Sequence, residues 1–97
     1  MQQYMVDFFL PEFTEELMAL IPAHRARVNK LMSRGVILSY AVSADRTRSW
    51  AMISAKSKSD AERVLRSLPL FPLIEYDMRE LMFHSSISSS LPAISMN

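Results

Sequence analysis

The apolar residues of this sequence keep two rhythms, and the order in which those rhythms alternate limits the fold more than any other feature. Residues 2–10 alternate and are rich in Tyr, Val and Phe, the pattern of a strand, and Pro11 ends it. Thr14 suits a helix N-cap, with Glu15 and Glu16 where the helix dipole favours negative charge. Leu17, Leu20, Ile21, His24, Val28 and Leu31 then recur at helical spacing. Pro22 falls inside this helix and predicts a kink near its second turn. Gly35, the only glycine, is placed to take the left-handed conformation that closes a helix. Two β-rich runs, 36–43 and 48–55, follow, joined by the polar connection Ala44-Asp45-Arg46-Thr47. Ser59-Asp60-Ala61-Glu62 has the form of a capping box. Ala61, Val64, Leu65 and Leu68 make the buried stripe of a short helix that Pro69 ends. Residues 74–83 supply a fourth strand.

The order β1-α1-β2-β3-α2-β4 predicts an α+β, ferredoxin-like fold, a four-stranded antiparallel sheet with both helices on one face. Residues 1–84 form that domain, and the Ser-rich residues 85–97 form a tail or arm. Strand alternation assigns Tyr4, Val6, Phe8, Leu38, Tyr40, Trp50, Met52, Ile74, Tyr76 and Met78 to the helix-covered side. Met5, Asp7, Phe9, Ile37, Ser39, Ala41, Ala51, Ile53, Glu75, Asp77, Arg79 and Leu81 then face the other way. That open face spans roughly 440 Å² from strand rise and spacing. Much of it is apolar, and exposing it would forfeit several kcal/mol at about 25 cal/mol per Å². The expected remedy is a homodimer, or a larger ring, with the sheets facing each other. The apolar residues of the tail, Ile87, Leu91, Ile94 and Met96, suit docking on a neighbouring subunit.

Composition narrows the function classes. With 97 residues there is room for one domain. Cysteine is absent, so the sequence offers no thiolate ligands and suits a reducing, cytoplasmic setting. Net charge is +1 with both signs interspersed, which argues against a nucleic-acid partner. No apolar run nears the ~20 residues of a membrane span. One glycine excludes a Gly-rich phosphate loop, and His24 and His84 are too far apart in sequence for a recognisable metal motif. No metal site is expected from these residues.

Ser67-Leu68-Pro69-Leu70-Phe71-Pro72 closes the second helix and leads into the last strand. In that setting the hexapeptide resembles the signature of the muconolactone isomerase family. The acidic pair Glu15-Glu16, Gly35, the acidic Glu75 and Asp77, and His84-Ser85-Ser86 agree with it in order and spacing. The resemblance runs from about Val6 to Ser86. It implies small subunits that pair into a dimeric α/β barrel and assemble further. It also implies isomerase chemistry without a cofactor, shifting a double bond in a small lactone during aromatic catabolism. The sequence departs from the family at Ile37 and Ala41, where tryptophans are usual, and at His24, where an acidic residue is usual.

Such chemistry needs a group that removes a proton beside a carbonyl and something to stabilise the enolate-like charge. His24, on the apolar stripe of the first helix, is either a buried, hydrogen-bonded histidine or an acid/base group that titrates near neutrality. Asp7, between Met5 and Phe9, is either half of an ion pair with Arg79 or a carboxylate base whose pKa burial would raise. One pocket between the first helix and the sheet is expected to hold His24 and Asp7 as catalytic groups. Tyr40, Arg79 and Tyr76 are the candidates for binding the substrate's carboxylate or carbonyl. Glu75 and Asp77 suit inter-subunit pairing, and Trp50 the core. Two other functions fit the same residues: a cofactor-independent oxygenase on an aromatic or polyketide, and a non-catalytic small-molecule binder.

Overall fold

The computed structural model describes residues 1–87. Their order is β1 (Gln2–Phe9), α1 (Glu15–Ser33), β2 (Ile37–Val42), β3 (Arg48–Ala55), α2 (Lys58–Arg66), a short 3₁₀ turn (Phe71–Leu73) and β4 (Glu75–Glu80). The strands form one antiparallel sheet in the order β2-β3-β1-β4, which is the expected ferredoxin-like topology. Beyond Glu80, Leu81 extends the ladder by one hydrogen bond to the Gln3 carbonyl. The docking expected of the tail concerns residues that lie mostly outside those described.

Strand β1 sits between β3 and β4 and shows why alternation is enforced. Tyr4, Val6 and Phe8 are buried in one core with Val28 and Leu31 of α1 and Ala61 and Leu65 of α2. Removing most of one such side chain, as in Leu65→Ala, would cost about 2–5 kcal/mol. Met5, Asp7 and Phe9 alternate with them and point away from both helices.

Both helices are capped by short polar side chains. Thr14 Oγ1 accepts from the Leu17 N–H at 3.2 Å, as expected. For α2 the cap is Ser57 rather than Ser59: Ser57 Oγ accepts from Asp60 N–H, and the helix begins two residues earlier than the capping box suggested. Asp60 then occupies the third helical position and pairs with Arg63 at 2.7 Å. Pro22 lies within α1 without dividing it. It removes the partner of the Met18 carbonyl, but both residues are exposed, so water can serve instead.

The sheet assignments of β2 and β3 need correction. On β3, Ala51, Ile53 and Ala55 face the helices, and Trp50 faces the open side. Met52 shares the face of Trp50, yet it is only 2% exposed. The run carries apolar residues in both frames, and the small Ala51 and Ala55 let the helices approach the sheet. On β2, Ile37 pairs with Ile53 whereas Ser39 pairs with Met52, so Leu38 is an inserted bulge residue. Ile37 and Tyr40 therefore share the core side, which strict alternation forbids.

Gly35 closes α1 as expected, at φ +72°. Its N–H donates to the Met32 carbonyl at 3.0 Å, and the Val36 N–H to that of Leu31 at 2.9 Å, the two bonds of a Schellman closure. A Cβ at this position would meet nothing within 4 Å, so the conformation alone constrains the residue. Gly35→Ala is expected to lose about 1–2 kcal/mol in urea denaturation, and Gly35→Asn clearly less. Equal losses would mean that space, rather than backbone conformation, sets the requirement.

Candidate functional site

The hexapeptide at residues 67–72 turns the chain from α2 into β4 and, in doing so, delivers one backbone donor to the core. Ser67 Oγ donates to the Val64 carbonyl and accepts from Arg27 Nε. Leu68 and Leu70 are buried, and the 3₁₀ turn begins at Phe71. The N–H of Leu70 then points at helix α1 and donates to His24 Nδ1 at 3.3 Å. On the far side of the same ring, His24 Nε2 meets Tyr40 Oη at 3.1 Å.

These contacts fix the tautomer of His24. A ring nitrogen that accepts a hydrogen bond carries no proton, so in the neutral ring the proton sits on Nε2 and is donated to Tyr40. The Tyr40 hydroxyl hydrogen is thereby left for a further acceptor. His24 is only 5% exposed, and burial pushes its pKa below the ordinary value of 6.5.

A second arrangement occupies the open face. Met5, Asp7, Ser39, Ala41 and Trp50 line a groove of about 450 Å³ across β1, β3 and β2, together with Tyr40 and Ala51, whose side chains belong to the core side. Arg48 stands at its Asp7 end. Its guanidinium lies 4.6 Å from the centre of the Phe9 ring and 6.0 Å from that of Trp50. One Nη is 3.6 Å from Asp7 Oδ1, close enough to attract but long for a hydrogen bond. Arg48 Nε is buried and, among the described residues, meets no acceptor. Such an unpaired donor costs about 1–3 kcal/mol.

The hairpin between β2 and β3 holds Arg48 there. Asp45 Oδ1 accepts from Thr47 N–H, Thr47 Oγ1 and Ser43 Oγ, which also keeps the Asp45 carboxyl below its usual pKa. Ser43 in turn accepts the Arg48 N–H on its Oγ and donates its own N–H to the Arg48 carbonyl. Arg46 completes the turn at φ +64°. The next residue, Ser49, is buried and donates to the Ala41 carbonyl at 2.8 Å.

The structure therefore brings His24 and Tyr40 together but separates them from Asp7 by the thickness of the sheet. His24 and Asp7 do not share the single pocket expected between α1 and the sheet, because Asp7 is on the face of β1 that turns away from α1. The ion pair of Asp7 is with Arg48, not Arg79, which instead reaches Asp77 at 3.2 Å from an exposed position on β4. Tyr76 lies on the helix side against Phe71, their rings tilted by 45° with centres 5.6 Å apart. Trp50, expected in the core, is 37% exposed in the groove. Arg48 was missed because only the β1–β3 register, which sets Phe9 opposite it and Asp7 opposite Trp50, reveals its neighbours. Among the described residues no cluster of His, Asp and Glu could hold a metal ion, and no helix is long and apolar enough to cross a membrane.

Comparison with known proteins bears on this arrangement. The family model for muconolactone delta-isomerase matches residues 7–87. The chain belongs to that family. A crystal structure of muconolactone isomerase superposes with a TM-score of 0.71 at 21% identity, covering 89% of this chain and 95% of the other. That likeness establishes the shared fold. No curated protein matches the sequence. Within the muconolactone delta-isomerase family fold, the hexapeptide gains a structural meaning here, since its Leu70 N–H sets the protonation of His24.

The buried neutral His24 gives stability a pH dependence of known sign. Its pKa is lower when folded than when unfolded, so the unfolded chain binds the extra proton first. The contribution is fully present above about pH 6.5 and is lost as pH falls from there towards the depressed folded value. His24→Gln should flatten this part of the stability curve in urea melts from pH 5 to 8. An unchanged slope would show that other groups cause it.

Proposed function

We propose that this chain is a cofactor-free isomerase that moves a carbon–carbon double bond within a small lactone acid of the muconolactone type. The reading is carried by one combination: membership of the muconolactone delta-isomerase family and a carboxylate, Asp7, lining an apolar groove. Asp7 would take the proton beside the lactone carbonyl and return it at a second carbon. Met5, Ala41 and Trp50 would exclude water, so that the carbanionic intermediate is not protonated early and each charge contact is strengthened.

The other candidates take supporting places. His24 would act on the groove through Tyr40, whose neighbours Ser39 and Ala41 line it, and so holds β2 in position. Tyr76 would brace β4 from the core side, and Arg79 would rim the open face. We also propose that two copies associate through these open faces as a dimeric α/β barrel, which would cover Phe9 and Trp50 and close the groove around the ligand. The protein would then act in the cytoplasm on a small organic acid. A non-catalytic binder is the second reading, favoured by one observation: both ring nitrogens of His24 are already engaged within the chain.

Muconolactone turnover by wild type, Asp7→Asn and His24→Gln tests the proposal, with circular dichroism confirming each fold. Wild type should be active, and Asp7→Asn should lose about 10²–10⁴-fold in rate, the usual contribution of general acid–base catalysis. His24→Gln should lose much less at its pH optimum. An inert wild type sinks the isomerase reading, and an Asp7→Asn variant as active as wild type removes Asp7 from the chemistry. For the assembly, sedimentation equilibrium at micromolar concentration should give two or more subunits, and a stable monomer would contradict it.

A further inference from the structure

Arg48 on β3 and Arg79 on β4 both belong to the open face of the sheet, and they differ in how they are held. Arg79 has a side chain 79% exposed and is fixed only by Asp77, its neighbour on the same strand. Arg48 is anchored at its backbone by the Ser43 hydroxyl and at its guanidinium by two aromatic rings. A guanidinium packed against aromatic faces keeps its plane and loses little freedom when it binds. Asp7 approaches it only to 3.6 Å, and among the described residues its Nη groups meet no acceptor at hydrogen-bond distance. Its side chain is 40% exposed, so a small anion can reach it.

We propose that Arg48 is the carboxylate anchor of the groove. It takes the acid group of a small lactone acid by paired hydrogen bonds, while Met5, Ala41 and Trp50 receive the ring. Paired N–H donors match the two oxygens of a carboxylate, which a lysine at this position could not reproduce. Anchoring at Arg48 places the ring over the groove floor, beside Asp7. The choice of ligand class rests on the proposed lactone chemistry; the choice of Arg48 over Arg79 rests on the geometry alone.

Trp50 is the only tryptophan of the chain, lines the groove and lies near Arg48, so its fluorescence reports occupancy directly. The probes are 5-oxotetrahydrofuran-2-acetate, a saturated lactone acid that cannot isomerise, and its methyl ester. With wild-type protein, the acid should change Trp50 fluorescence saturably, and the ester should bind at least tenfold more weakly. Arg48→Met should weaken the acid at least tenfold and Arg48→Lys severalfold, whereas Arg79→Met should stay within about twofold of wild type. Equal binding of acid and ester by wild type, or no saturable binding of the acid in fluorescence and equilibrium dialysis, overturns the proposal. So does an Arg48→Met variant that binds the acid normally. The acid–ester comparison uses unmodified protein and holds even if Arg48→Met fails to fold. Selective binding of the acid through Arg48 without turnover of muconolactone would keep the anchor and remove the isomerase reading. Turnover with an unchanged KM in Arg48→Met would do the reverse.

Discussion

The two-sided character of β1 is the constraint on which the rest of this structure depends. A strand paired on both edges cannot rotate or slip without moving every side chain to the wrong face. Because Tyr4, Val6 and Phe8 must meet the helices, Asp7 and Phe9 are committed to the opposite side. The core therefore positions the groove, and the pairing with β3 then sets Arg48 and Trp50 opposite Phe9 and Asp7. No separate scaffold is needed for the open face, since the packing energy that stabilises the fold also orients its polar groups.

A similar economy operates at the hexapeptide. Its prolines stop one helix and set up the approach to a strand, but the turn also aims a main-chain donor at His24. A histidine buried beside an apolar sheet needs both nitrogens satisfied to avoid a desolvation cost. One partner comes from the turn after α2 and the other from β2, so His24 ties three segments that are distant in sequence.

Much of this was legible in the sequence because it is local. The helix α1 has its cap, its stripe and its closing glycine within one stretch, and all three features are found in the structure. The strand β1 has only one apolar frame that works. What could not be read depends on pairing. Residues 48–55 have apolar side chains in both frames, and the bulge at Leu38 shifts β2 by one residue partway along. Ser57 and Ser59 are both serines followed three residues later by an acidic residue, so helix length rather than motif decided the cap. The chemistry followed the same rule. His24 and Tyr40 are hydrogen-bonded to each other, as the reading of a buried, satisfied histidine has it, but the Asp7–Arg48 pair emerges only from the register of two strands.

The extra residue at Leu38 has a further consequence, for how copies of this protein can meet. Strand β2 is an edge of the sheet, and an unpaired edge invites another strand to extend the ladder. A bulge breaks the regular spacing of free N–H and C=O groups and twists the edge away from a straight partner. At the other edge, β4 carries Glu75, Asp77, Arg79 and Glu80, whose charges oppose its own copy laid alongside. Both rims of the sheet thus discourage edge-to-edge growth into fibres.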